Sequence, residues 1–100
     1  MNTICEAIAK RLLIQFYYSG DKVPGTRIVE PHMVAYNKRN HVSLSGWFVG
    51  GATESGGVGW REYLLSEMSN IIMLNEHFSG PRPGYRSDGG KMFHNVQCAL

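Results

Sequence analysis

The chain has almost no cysteine: Cys5 and Cys98 are the only two in 100 residues. That excludes a disulfide-rich scaffold and a cysteine-cluster zinc site. Two thiols this far apart are read as separate free thiols in a reducing compartment, with a single end-to-end bridge the other arrangement open to them. Long apolar runs are also lacking, and none approaches the ~20 residues of a membrane helix. The opening MNTICEAIAK carries an acid early and no apolar stretch like that of a signal peptide. A soluble, cytoplasmic chain with no membrane partner is expected.

Charge is sparse as well, at 18% of residues with a formal net charge of +2. So small an excess does not by itself imply nucleic-acid binding. Residues 1–78 balance, with seven Lys or Arg against seven Asp or Glu, and the tail holds the whole excess in Arg82, Arg86 and Lys91 against Asp88. Catalytic patterns are missing too. His32, His41, His77 and His94 never fall at i,i+4 on a helix or beside a cysteine pair, so no metal or other cofactor is expected. The acids form no obvious pair, and Ser43, Ser45 and Ser66 lack a nucleophile elbow. The glycine-rich Gly50–Gly59 segment has neither the lysine nor the following helix of a phosphate-binding loop. Cys5 lies on an apolar stripe, where a buried structural thiol is expected rather than a nucleophile. The sequence predicts no enzyme.

What is present is enough apolar residue, 43%, for one domain-sized core, and 12 glycines that favour many turns between short strands. Thr3-Ile4-Cys5-Glu6 matches a capping box, predicting a helix from Thr3 with Cys5, Ile8, Ala9 and Leu12 on its apolar face. Leu12 to Tyr18 is aromatic and β-branched, a strand with Ile14 and Phe16 inward. Arg27 to Glu30 reads as a short strand stopped at Pro31, which cannot donate to a ladder and suits a bulge or an edge. Met33–Tyr36 and His41–Val49 flank a turn at Asn37–Asn40, a hairpin whose core face is Val42, Leu44, Gly46 and Phe48. Gly50–Gly59 is a polar loop, functional or simply tolerated. Trp60–Leu65 resumes a strand, Ser66–Asn70 suits one helical turn, and Ile71–Leu74 another strand. Ser79 to Tyr85 holds two prolines and two glycines, which exclude a helix or central strand. Phe93–Cys98 reads either as a last strand or as a segment lying across a neighbouring subunit.

One helix followed by five to six short strands predicts a mainly β (α+β) fold. Its N-terminal helix packs on a small, strongly bent sheet closing into an SH3-like or Sm-like barrel. Residues 1–78 form that domain and residues 79–100 a Pro/Gly-rich extension packed on it or on a neighbouring subunit.

The order of LLIQFYY, Arg27-Ile28-Val29-Glu30-Pro31, Leu44 before Gly46-Trp47, Trp60-Arg61, and Ser69-Asn70-Ile71 leading to Glu76-His77-Phe78 resembles the WYL-domain family. The HFSGPRPGY stretch resembles that of short standalone members. The resemblance implies a small Sm-like barrel, a regulatory or ligand-binding role, and a protein partner supplying DNA binding. The chain departs from the family where its naming triplet falls on Val42-Ser43-Leu44. It departs again where two ligand-binding arginines and an acid fall among Leu64, Leu65, Ser66 and Glu67.

The remaining candidate site is basic and aromatic: Arg27, Arg39, Trp47, Trp60, Arg61, Arg82, Tyr85 and Arg86. Guanidinium forks among stacking rings are what a nucleotide or single-stranded nucleic acid requires. Each arginine also has an ordinary use in a pair with Glu30, Glu62 or Glu76, and both tryptophans in packing on the helix or tail. The other class of reading is a structural or assembly protein. Small barrels carry exposed strand edges that a homo-oligomer would cover.

Overall fold

The computed structural model describes residues 1–52 and 57–100. Part of the Gly50–Gly59 loop reading therefore lies outside the described residues. Among the described residues a single helix, α1 (Asn2–Lys10), precedes six strands: β1 (Leu12–Tyr18), β2 (Gly25–Asn37), β3 (Val42–Gly51), β4 (Gly59–Leu64), β5 (Met68–His77) and β6 (Phe93–Ala99). A single 3-10 turn, Leu65–Glu67, joins β4 to β5.

The capping box does not form. The helix starts one residue early with Met1 at the cap and no side-chain cap, and Glu6 instead pairs with Lys10 at 2.7 Å. The buried stripe is correspondingly Ile4, Ala7 and Ile8, while Ala9 is exposed. Arg11, in the left-handed region at φ 55°, ends the helix and turns the chain straight into β1.

The strands form one antiparallel sheet in the order β4-β3-β2-β1-β5, with β6 also paired to β2. The sheet is not closed: β4 and β5 end the order without pairing to each other, against the expectation of a closed barrel. Pro31 does not break β2, which runs through it as one 13-residue strand. The ladder to β3 shifts register between Pro31 and Met33, and that bulge absorbs the missing N–H while bending the strand. The bend lets one strand serve two neighbours on the same side. Its first half pairs β1 from Gly25 to Val29, and its second half pairs β6 from Met33 to Asn37.

The hairpin turn follows its sequence closely. Asn37 Oδ1 accepts from the Arg39 and His41 N–H groups, and Asn40 takes the left-handed position at φ 62°. Leu44, Gly46 and Phe48 of β3 are buried as expected. Gly46 has no room for a side chain, since a Cβ would collide with Val29 Cγ1. The core packs α1 onto the sheet through Ile14, Phe16, Val29, Val34, Leu44 and Phe48. Phe16, Tyr18 and Tyr63 meet edge to face, with Tyr63 centroids 5.0 Å from each of the other two. Each such pair adds about 0.5–1.5 kcal/mol beyond area burial.

Cys5 and Cys98 are not free thiols. They form a disulfide across 93 residues of sequence, tying α1 to β6 with Cα atoms 5.7 Å apart. Spacing gave no hint, because the bend of β2 is what lays β6 beside the helix. No helix among the described residues is long and apolar enough to cross a membrane.

Candidate binding grooves and the strap beside them

The candidate residues separate into three places. Arg27 lies in the core, 1% exposed, and is no surface ligand for a nucleotide. It shares the inner face of β2 with Val29. Its Nη2 donates to the Val23 carbonyl at 2.6 Å, its guanidinium lies 5.9 Å from the Tyr18 centroid, and Nη1 is buried with no hydrogen-bond partner. Asp21 is the nearby acid, at 3.5 Å. Burial pushes the Tyr63 hydroxyl up to about 12, against the pull of Arg27 and Arg61, so it stays protonated.

Arg61 also points to that side. Its guanidinium lies over the Phe48 ring at 5.4 Å and donates to the carbonyls of Trp60 and Gly57.

Trp47 of β3 and Trp60 of β4 come together with Arg82 and Tyr85, which lie on residues 79–92, a segment we call the strap. Arg82 donates from Nε and Nη2 to the two carboxylate oxygens of Glu30, both at 2.8 Å, and lies over the Trp47 ring at 5.0 Å. The Glu30 fork holds the Arg82 guanidinium protonated above its ordinary range. Trp60 Nε1 donates to the Pro83 carbonyl at 2.8 Å, and its ring stacks with Tyr85 at 6.3 Å and 19°. Trp47 meets Trp60 edge on at 5.6 Å.

Between these groups lies His32, fully buried and absent from the sequence-based candidates. Its Nε2 accepts the Arg82 backbone N–H at 3.1 Å, so Nδ1 carries the proton and donates to the Glu30 carbonyl at 2.9 Å. Its own carbonyl accepts from the Leu100 N–H at 2.8 Å, with the Tyr85 hydroxyl 3.3 Å away. Trp60, Phe78 and Tyr85 surround the ring with centroids at 4.7, 5.5 and 5.3 Å. His32 thus holds the strap and the end of β6 at once. No sequence signal marks it; the sequence offers Glu30 as a partner for an arginine, but which one, 52 residues away, only the fold decides.

Burial pulls the His32 pKa down from the ordinary histidine value, with Arg82 pulling the same way and Glu30 opposing both. The unfolded chain therefore binds the proton first, and stability rises with pH in that window. Stability is expected to be full above about pH 6.5 and to fall as the pH drops below it, by at most about 1.4 kcal/mol per pH unit. Urea unfolding of the native chain and of His32→Gln between pH 4.5 and 8 checks this. The variant should lose that slope, and an unchanged slope would place the acid sensitivity elsewhere.

On the outer side of Trp60 and Tyr85 the strap borders a groove of about 500 Å³. Met33, Trp60, Tyr85, Met92 and Phe93 give it an apolar lining, and Arg86 and Lys91 stand beside them. Both cations are exposed, and Arg86 makes a 3.3 Å contact with Asp88, itself 67% exposed. A second hollow of about 440 Å³ holds Arg39 with Lys38 and His41, and shares Glu62 and Met92 with the first. Among the described residues no three His, Cys, Asp or Glu are placed to hold a metal ion. No family model, curated protein or solved structure matches the chain.

Proposed function

We propose that the chain is a non-enzymatic ligand-binding or regulatory module of the WYL-like type on an open, unclosed variant of the SH3-like or Sm-like barrel. Its ligand is a nucleotide or a single-stranded nucleic acid. The strand order, the strongly bent β2 and the 3-10 turn between β4 and β5 support the barrel assignment. The observation that carries the function is the groove itself. Two aromatic rings, Trp60 and Tyr85, flank an apolar hollow of about 500 Å³ with Arg86 and Lys91 within its lining. Rings stack on bases without regard to sequence, and the cations neutralise phosphate. Arg39 and Lys38 in the adjoining hollow extend the same chemistry. The partner that supplies DNA binding belongs to this reading, whereas the disulfide weighs against the expected cytoplasmic location, because such bonds persist mainly in oxidising compartments.

Titration of tryptophan fluorescence with a mononucleotide and a short oligonucleotide tests the ligand class. Binding at micromolar protein should weaken steeply between 50 and 200 mM salt, with a slope of about −0.7 per phosphate neutralised. Arg86→Gln combined with Lys91→Gln should weaken it about tenfold or more at low salt. No salt-sensitive change would remove the reading.

Homo-oligomeric assembly is the second reading, favoured by the edge of β5. Among the described residues its ten residues, Met68–His77, pair only with β1; they contain no Lys, Arg or Pro to discourage edge pairing, and Ile72 is 52% exposed. Light scattering that finds a strict monomer across the micromolar range would remove it.

A further inference from the structure

We propose that the face built by Glu30, His32, Trp47 and Trp60 is a recognition site for an Arg-Pro-Gly-aromatic turn on a partner protein. In this chain the site is held shut by its own copy of that motif, Arg82-Pro83-Gly84-Tyr85. This goes beyond the nucleotide reading and does not depend on it.

The strap is bound to the sheet in the way a ligand is bound. No residue from 79 to 97 belongs to the hydrophobic core cluster, and Ser79, Pro81, Pro83 and Gly84 are exposed. What holds residues 82–85 is a short set of directed contacts. Glu30 is 5% exposed, and a carboxylate so buried is costly unless a cation meets it with good hydrogen bonds. Both of its oxygens are taken by one guanidinium fork at 2.8 Å, a geometry that arginine satisfies and lysine does not. Trp60 offers a single N–H, which meets the proline carbonyl at 2.8 Å. Aromatic-lined grooves commonly recognise proline-containing segments, and an indole N–H is a donor only. His32 Nε2 takes the arginine's own backbone N–H at 3.1 Å, so the face reads main chain as well as side chain.

The motif carries its shape with it. Pro83 fixes its own φ and pushes Arg82 towards extended backbone. Gly84 has φ 90°, and the Tyr85 N–H closes the turn on the Arg82 carbonyl at 3.2 Å. Proline then glycine at the two central positions is the signature of a type II turn. A partner segment with these four residues would arrive nearly preorganised and lose little entropy on docking. Charge complementarity sets the partner's chemistry: an acid-lined aromatic face accepts one arginine followed by a proline carbonyl. The tethered copy competes at an effective concentration on the order of millimolar, so a partner gains access only when the strap is released.

The test uses the full chain, with the strap loosened by Arg82→Ala, and a fluorescent peptide of the sequence Ser79–Arg86. The peptide should bind the variant at least about a hundredfold more tightly than the native chain. A peptide carrying Arg82→Lys should bind at least about tenfold more weakly, because it lacks the fork. Adding Trp60→Phe to the variant should weaken binding of the unmodified peptide. If Arg82→Ala does not fold by circular dichroism, Tyr85→Ala replaces it under the same criteria. A folded variant that binds the peptide no better than the native chain, or binds the lysine peptide equally well, overturns the proposal.

Discussion

Removing the Cys5–Cys98 bridge, by reductant or by Cys98→Ser, is expected to lower the melting temperature by about 20 °C. The bond closes nearly the whole chain, across 93 residues, so it removes a large share of the unfolded chain's freedom. For a loop of that size the entropic account gives about 4–5 kcal/mol at 25 °C. A melting shift of roughly 4–8 °C per kcal/mol applies to a domain of this size. The other ties of β6 are modest: among the described residues it pairs only with the second half of β2, its end is held by the Leu100 N–H bond to the His32 carbonyl, and most of its residues are exposed. Calorimetry with and without a dithiol reductant reads the effect directly, and Cys5→Ser should match Cys98→Ser. A shift under about 5 °C would mean that β6 and α1 are held by their packing instead.

Arg27→Ala is expected to destabilise the fold by about 3 kcal/mol, whereas Arg27→Met should recover most of that loss. The guanidinium is 1% exposed beside Tyr18 and Tyr63, so alanine leaves a cavity that the surrounding rings fill only in part. Methionine restores volume without a charge to bury. Its loss of the Val23 hydrogen bond is offset in part because the unpartnered Nη1 no longer has to be desolvated. Chemical denaturation of the three proteins gives the order. Should methionine prove as costly as alanine, the hydrogen bond and charge, rather than the filled volume, hold that end of the core. Neither substitution should alter nucleotide titrations of the folded chain, because Arg27 faces no groove.

Local chemistry was readable from the sequence. The β1 strand, the Asn37–Asn40 turn and the core face of β3 each depend on residues a few positions apart, whose spacing and backbone preferences are visible in one dimension. The continuous β2 was not, because Pro31 marks a bulge as readily as a strand end, and only the facing strand decides between them. Arg27 was illegible for a related reason: three residues apart in one strand, Arg27 and Glu30 face opposite sides, and only the packed fold shows that Arg27 turns to the core while Glu30 is covered by the strap. Of the candidate site, the gathering of Trp60, Tyr85 and Arg86 along one groove follows the basic-aromatic composition. The fates of Trp47 and Arg82 were set by a tail whose path depends on Glu30 and His32, far away in sequence. The end-to-end bridge was one of two arrangements open to the cysteines, and the sequence could not choose it because the two become neighbours only after the sheet has bent.

The closeness of Cys5 and Cys98 also determines how the molecule would carry tension. A pull applied outside the two cysteines is carried by the covalent bond, and the 93-residue loop between them bears none of the load. With the bridge intact, the strands inside the loop would neither peel nor shear, and the extension under force would come only from chain outside the bridge. Once reduced, the same pull would fall first on the few hydrogen bonds between β6 and β2, and the tail would unzip from the sheet before the rest gave way.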